Sequence, residues 1–137
     1  MDDRERCQLE ANAFMNHNRI QVTEITDQRA VAVLEMGPES CNPYGCLHGG
    51  ASFTMADVAG GALARHDGRQ YVTLSSHLEF VHAATSGRVT AEASLRHRGR
   101  STCLIDVNIT DEAGNLVSCG TFTFFCLGSG GDVPTKT

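Results

Sequence analysis

Apolar and polar residues alternate along much of the chain in the manner of half-buried β-strands. Six segments show this alternation or are rich in β-branched residues, at 20–26, 29–36, 71–82, 88–97, 102–110 and 116–126. Turn-forming residues separate them, at 27–28, Ser86-Gly87, Arg98-Gly99-Arg100 and 112–115. Because consecutive strands are joined by short connections, the pattern predicts a mainly antiparallel sheet built from hairpins.

Two segments carry a helical pattern instead. Residues 49–65 contain no proline, are rich in alanine and are too long for one strand, which predicts a long buried helix. Leu9, Ala13 and Phe14 have helical spacing and predict an amphipathic helix over 4–17. One long helix covering a six-stranded antiparallel sheet is an α+β layout, that of the hotdog fold. We therefore expect a single domain over 1–127, followed by a flexible tail over 128–137.

Composition excludes several classes of function. The 137 residues fit one domain, and a net charge of −5 without a basic run argues against nucleic acid as partner. No apolar run approaches the roughly 18 residues that a membrane span needs. The polar N-terminal segment does not resemble a signal peptide, so the six cysteines are expected to be reduced thiols in the cytoplasm. Cys41, Cys46 and His48 fit no common zinc spacing, and no metal is expected.

His48-Gly49-Gly50 lies where a loop rich in Pro, Gly and Asn becomes the long helix. The first N–H groups of a helix have no partners within the helix and carry the positive end of its dipole. Glycine leaves room for a ligand to approach them, so this helix start is a candidate site for a developing oxyanion. The alternative is structural: His48 caps the helix and the glycines only shape the turn.

Asp57 interrupts the most apolar part of the chain. It shares a helix face with Phe53, Gly60, Gly61 and Ala64, and a carboxylate among such residues suits a general base. The alternative is an Asp that faces solvent or has a structural partner. Gly49 and Asp57 are eight residues apart, or about 12 Å along one helix, too far to reach one carbonyl together. The spacing therefore predicts a homodimer whose active sites lie at the interface.

The run Asn42-x2-Gly45-x2-His48-Gly49-Gly50-x2-Phe53-x2-Ala56-Asp57 resembles the signature of the hotdog acyl-CoA thioesterases of the phenylacetate-degradation (PaaI-like) type. That family is related to the 4-hydroxybenzoyl-CoA thioesterases, and the resemblance extends over about residues 20–127. It implies an enzyme that uses no metal or other cofactor, with coenzyme A as part of the substrate. It also implies a homodimer, usually paired into a dimer of dimers.

The resemblance also implies roles for single residues. Gly49 would polarise the thioester carbonyl through its backbone N–H, with Gly50 beside it at the substrate. Asn42 and His48 would shape that pocket, and Asp57 of the opposite chain would be the general base or nucleophile. A hydroxyl residue on the strand after the helix would orient water or the carboxylate. Ser75 matches that position, and Thr73 and Ser76 are the nearby alternatives.

Coenzyme A carries phosphates, and basic residues surround the turn at Gly99. Arg98 or Arg100 could bind them, although charged turn residues are usually only solvated. His77 and Glu79 lie on one side of their strand and could form an acid–base pair, or simply an exposed polar face.

The function expected from these residues is hydrolysis of an aryl- or medium-chain acyl-CoA to the free acid and CoA. The chain has no GxSxG motif to support a serine hydrolase. Two alternatives remain open: a hotdog hydratase or dehydratase acting on acyl thioesters, and a non-catalytic acyl-CoA binding module.

Overall fold

The computed structural model describes residues 1–129. Its helices are α1 (Asp3–Glu10), α2 (Ala13–His17) and α3 (Gly49–Arg65), and its strands are β1 (Gln21–Ile25), β2 (Arg29–Glu35), β3 (Arg69–Phe80), β4 (Arg88–Arg98), β5 (Thr102–Thr110) and β6 (Leu116–Ser129). A short 3-10 helix, Pro38–Ser40, lies in the loop before α3. The predicted architecture of six strands and one long helix is confirmed, and α3 begins and ends at the predicted residues.

The strands form one antiparallel sheet in the order β1-β2-β4-β5-β6-β3. The prediction of a hairpin at Ser86-Gly87 is wrong, because β3 pairs with β6 at one edge and the chain then crosses to β4. Gly120 of β6 makes this pairing possible. A β-carbon there would overlap the carbonyl oxygen of His77 and lie 2.9 Å from the Cα of Leu78, so β3 packs against bare backbone.

The core lies between α3 and one face of the sheet. Met55, Ala59 and Leu63 of α3 are fully buried there. Gly60 brings the helix close to the sheet, since a β-carbon at this position would be 3.0 Å from ring atoms of Phe124. Burial of a large apolar side chain such as Met55 or Leu63 stabilises the fold by about 1.5–3 kcal/mol. This layer therefore fixes the helix over the sheet.

The C-terminal end of α3 is held by side chains from the sheet. Arg98 donates to the carbonyl oxygens of Ala64 at 2.9 Å and Leu63 at 3.1 Å, and to Oδ2 of Asp67 at 2.8 Å. The hydroxyl of Tyr71 donates to the same Oδ2 at 2.6 Å. Burial is the larger cause and this hydrogen bond the second cause of a raised pKa of Tyr71, which is about 12. Burial alone would raise the pKa of Asp67. The hydrogen bonds that its carboxylate accepts from Tyr71 and Arg69 outweigh burial, so the pKa is below its ordinary value.

The N-terminal segment differs from the single helix predicted over 4–17. It forms two short helices, because Oδ1 of Asn12 accepts a hydrogen bond from the N–H of Met15 at 3.1 Å and starts α2. The second helix is rotated relative to the expected face, so that Phe14 is 66% exposed while Met15 is 3% exposed.

The last strand is longer than predicted. Gly128 and Ser129 were expected to begin the flexible tail, but they pair with Gln70 and Arg69 of β3. The rest of that predicted tail, 130–137, lies outside the described residues. All six cysteines have free thiols. Within residues 1–129, no helix is both long enough and apolar enough to cross a membrane.

Candidate active site

The start of α3 presents a free backbone donor. His48 is the N-cap, and its Nδ1 accepts a hydrogen bond from the N–H of Gly50 at 2.8 Å. The N–H of His48 donates to the carbonyl oxygen of Ser40 at 2.8 Å. None of the described residues accepts a hydrogen bond from the N–H of Gly49. This N–H, at the positive end of the helix dipole, is therefore available to a ligand oxygen.

Asn42 contributes a second donor to the same place. Its Oδ1 accepts hydrogen bonds from the N–H groups of Tyr44 at 3.0 Å and Cys46 at 3.1 Å. These two bonds fix the orientation of the amide, because only the oxygen can accept them. Nδ2 has no acceptor among residues 1–129. Gly45 closes the loop with a φ of +79°, a conformation that favours glycine.

A groove of about 530 Å³ opens in front of these donors. Asn42 and Gly49 line it together with Phe80, the last residue of β3, and His82 just beyond that strand. The ring of Phe80 packs at the helix start, where a β-carbon on Gly49 would be 3.4 Å from its Cε1. The groove is open to solvent and mainly apolar, which suits the carbonyl end of an acyl thioester.

Asp57 lies half-buried on the exposed side of α3. Its Oδ1 accepts a short hydrogen bond of 2.5 Å from the hydroxyl of Thr73 on β3. No donor among the described residues contacts its Oδ2. The carboxylate is thus oriented through one oxygen and has the other free to act as a base or a nucleophile.

An irregularity in β3 decides which hydroxyl reaches Asp57. Thr73 pairs with Phe124 and Ser75 with Thr123, so Leu74 is an extra residue that reverses the alternation. Because Phe124 is buried under the helix, Thr73 faces the helix and Ser75 faces the opposite side. The expectation that Ser75 orients the carboxylate therefore needs correction, since Thr73 makes that contact.

Ser76 returns to the helix side of the sheet, where it pairs with the buried Phe122. The remaining polar pair of the strand lies on the outer side. There Nε2 of His77 is 2.7 Å from Oε1 of Glu79, and both side chains are largely exposed. This arrangement matches the exposed polar face that was the alternative to an acid–base pair.

The two halves of the predicted site do not meet within one chain. Asp57 does not line the groove in front of Gly49. Gly49 and Asp57 are eight positions apart on a continuous helix, which is about 12 Å, as the spacing predicted. One chain thus has a free N–H at the start of α3 and, separately, an oriented carboxylate.

Sequence comparison assigns the family. A profile of the thioesterase superfamily matches residues 44–118, more than half of the chain and the part that holds Gly49 and Asp57. This chain belongs to the thioesterase superfamily. A 1,4-dihydroxy-2-naphthoyl-CoA hydrolase of Listeria monocytogenes is 31% identical to this thioesterase over 101 residues, which are 72% of this chain and 82% of that protein.

Solved structures agree with this family. A hypothetical thioesterase of Streptococcus pneumoniae, determined with coenzyme A, is 32% identical with a TM-score of 0.76 and covers 80% of this chain and 87% of that one. The E. coli PaaI protein from the phenylacetic acid degradation operon has a TM-score of 0.86 at 22% identity, covers 90% and 91% of the two chains, and shares the fold. The predicted family, the hotdog fold and the reaction class, acyl-CoA thioester hydrolysis, are confirmed.

The two arginines of the Gly99 turn have different surroundings in this thioesterase. Arg98 was a candidate for phosphate binding, but its guanidinium contacts the end of α3 and Asp67, and its side chain is only 23% exposed. It is a structural residue in this chain. Arg100 is exposed, and among the described residues its side chain has no hydrogen-bond or ion-pair partner.

Three residues near the site were not among the sequence-predicted candidates. Phe80 follows from the alternation of β3 once the extra residue at Leu74 is known. His82 lies just beyond that strand in the groove wall, with its Nε2 3.6 Å from Oδ2 of Asp111. Arg65 follows Asp57 by eight positions, or about two helical turns. This spacing is the feature of the sequence that could have identified it.

Proposed function

We propose that this thioesterase hydrolyses aryl- or medium-chain acyl-CoA at sites shared by two chains of a homodimer. One observation carries the proposal: Gly49 has a free N–H at an apolar groove, while the oriented carboxylate of Asp57 lies about two helical turns away. Each half has the chemistry of one partner in thioester hydrolysis, and neither half can complete the reaction alone.

In the proposed site, the thioester carbonyl oxygen accepts hydrogen bonds from the N–H of Gly49 and from Nδ2 of Asn42. His48 stabilises the helix start, because its Nδ1 accepts a hydrogen bond from the N–H of Gly50. Gly50 itself lies beside the substrate. Negative charge that develops on the oxygen during attack is stabilised by these donors and by the helix dipole.

Asp57 of the partner subunit supplies the other half of the reaction. As a general base, it takes a proton from water while the water oxygen bonds to the acyl carbon. As a nucleophile, it forms an acyl-aspartyl anhydride that water then hydrolyses. In both routes the carbon–sulfur bond breaks and the thiolate of CoA leaves and takes up a proton. Thr73 positions the carboxylate, and Ser76 lies on the same side of the sheet, close to the substrate.

The free edge of the sheet supports the homodimer. β3 is a twelve-residue edge strand, and Val72, Leu74 and Phe80 on it are exposed apolar residues. A long edge of this kind is a template for pairing with a second chain. Phe53, on the exposed side of α3 one turn before Asp57, is 40% exposed and extends the apolar surface towards the carboxylate. We further propose that two such dimers associate, as the family resemblance implies.

Coenzyme A phosphates are proposed to bind Arg100, because its guanidinium is exposed and has no partner in the described chain. The proposed reaction needs no metal or other cofactor, since the helix start supplies the positive charge and Asp57 the base. The six free thiols support a reducing compartment, and we propose the cytoplasm.

The experiment that tests this function measures thiol release with a disulfide reporter. Phenylacetyl-, benzoyl-, hexanoyl- and lauroyl-CoA are supplied to wild type and to Asp57→Asn, a variant of equal size without the charge. We expect turnover of at least one substrate by wild type and its collapse in the variant.

Other outcomes separate the alternatives. A changed double bond without free thiol would identify a hydratase or dehydratase. Binding without turnover that survives Asp57→Asn would identify a binding module. Equal thiol release by both proteins would show that Asp57 is not the catalytic carboxylate.

A further inference from the structure

Arg65 brings a positive charge to the same helix face as Asp57. The guanidinium folds back over Gly61, where a β-carbon would lie 3.0 Å from Nη1, 3.3 Å from Nη2 and 3.4 Å from Cζ. Gly61 is four residues from Asp57, one helical turn. The charge therefore lies about one turn from the carboxylate, although Arg65 itself is two turns away.

The guanidinium forms no hydrogen bond or ion pair with an anion in the part of the chain that the structure describes. No carboxylate or carbonyl oxygen of residues 1–129 accepts a hydrogen bond from it, in contrast to Arg98 and its carbonyl partners. Burial lowers the pKa of Arg65 below its ordinary value, and the charge of Asp57 opposes this shift. Because a desolvated charge without a partner is costly, an anion at this position would be bound strongly.

Neither neighbouring acid forms an ion pair with Arg65. The charge of Asp57 acts on the guanidinium from a distance, but no oxygen of Asp57 is within ion-pair distance of it, and Oδ1 accepts from Thr73. Glu5 of α1 lines the same small cavity as Arg65, but its Oε1 is 2.5 Å from Nδ1 of His66 and 3.7 Å from Nη2 of Arg4. The anion that pairs with Arg65 is therefore expected to come from outside the described chain.

The position of Arg65 limits which part of a substrate can supply that anion. This step rests on the proposed function, in which the thioester carbon lies beside Asp57. The phosphates of coenzyme A are at the far end of the long pantetheine arm, so they cannot reach one helical turn beyond the reacting carbon. A group on the acyl side about three to five bonds from that carbon can reach it.

We propose that the acyl group of the substrate carries a second carboxylate and that Arg65 binds it. The planar guanidinium can donate two parallel hydrogen bonds to a carboxylate, which gives both affinity and orientation. Arg65 then also offsets the repulsion between that carboxylate and Asp57. Glutaryl- and adipoyl-CoA have the required chain length, and a 2-carboxybenzoyl group is the aryl equivalent.

The test compares substrates that are matched in length. The ratio of kcat/KM for adipoyl-CoA to that for hexanoyl-CoA is measured for wild type, Arg65→Met and Arg65→Lys. We expect a ratio above one in wild type, a fall of about 10- to 100-fold in Arg65→Met, and an intermediate value in Arg65→Lys, which keeps the charge without the fork. Arg100→Met is the matched control, because loss of a phosphate contact affects both substrates equally and leaves the ratio unchanged.

Binding of the free acids gives a readout that does not depend on turnover. Calorimetry should show tighter binding of adipate than of hexanoate to wild type, and Arg65→Met should abolish the difference. An unchanged kcat/KM ratio in Arg65→Met, or equal binding of adipate by wild type and variant, would overturn the inference. Adipate binding that depends on Arg65 in a protein without thiol release would support the anion site while refuting the proposed hydrolysis.

Discussion

Replacing Gly49 by proline removes one hydrogen-bond donor from the proposed site while leaving the helix start intact. Gly49 is the first residue of α3, where proline is favoured, and its N–H has no acceptor among residues 1–129. His48 has a φ of −63° and a ψ of 136°, an extended conformation that is compatible with a following proline. A β-carbon at Gly49 would be 3.4 Å from Cε1 of Phe80, which is ordinary contact.

Gly49→Ala is the matched variant, because it adds the same β-carbon and keeps the N–H. Loss of one oxyanion donor typically lowers kcat by about 10²- to 10³-fold, which corresponds to about 2.7–4 kcal/mol of transition-state stabilisation. We therefore expect kcat of Gly49→Pro to be lower than that of Gly49→Ala by about this factor. The two melting temperatures should agree closely, since neither change breaks a hydrogen bond within residues 1–129.

The assay is thiol release at saturating acyl-CoA, with the melting temperature of each variant followed by circular dichroism. Saturation matters because the donor is expected to act on the transition state, so that kcat falls more than substrate affinity. Equal kcat values in two variants that both melt like wild type would refute the role of the Gly49 N–H. A fall in kcat that accompanies a large fall in melting temperature in Gly49→Pro alone would refute the structural reasoning about the helix start.

Three further changes test other contacts. Thr73→Val removes the hydrogen bond to Asp57 and should lower kcat by about 10- to 100-fold in the thiol-release assay, whereas Ser75→Ala on the opposite face should not. Asp67→Asn should lower the melting temperature at pH 7. Because the folded-state pKa of Asp67 is depressed, this stability is present above its ordinary pKa and is lost as the pH falls through the folded value, so the melting curves should converge in acid. Gly120→Ala should cost about 3 kcal/mol or more in denaturant unfolding, because its methyl group would overlap the backbone of β3.

Local patterns were sufficient to predict most of the fold. The helix over 49–65 follows from an apolar run without proline that starts after a capping His48. The strand over 102–110 follows from strict alternation. The single helix predicted over 4–17 failed because Asn12 caps a new helix, a local contact that outweighs the spacing of apolar residues.

The remaining errors come from contacts between distant segments. Nothing in the local sequence shows that β3 pairs with β6, which depends on the bare backbone at Gly120. The extra residue at Leu74 is visible only in that pairing. It places Thr73 and Ser75, which would share a face of a regular strand, on opposite faces of the sheet. Arg98 was a candidate for phosphate binding because its actual partners, carbonyl oxygens more than thirty positions away, are not visible in the local sequence.

The separation of Gly49 and Asp57, by contrast, follows from helix geometry alone. Eight residues of uninterrupted helix keep the two groups about 12 Å apart in any fold that preserves α3. The proposed dimer gives the carboxylate in the apolar stretch a role, because its partner there is the helix start of a second chain.

Subunit complementation tests the shared site most directly. Gly49→Pro and Asp57→Asn proteins, each inactive alone, are mixed in equal amounts, dissociated and allowed to reassociate. In a mixed dimer with shared sites, one site carries both defects and the other carries neither. Random pairing should then restore about one quarter of wild-type thiol release. No recovery, although mixed dimers are demonstrated by differently tagged chains, would contradict an active site that takes Gly49 from one chain and Asp57 from the other.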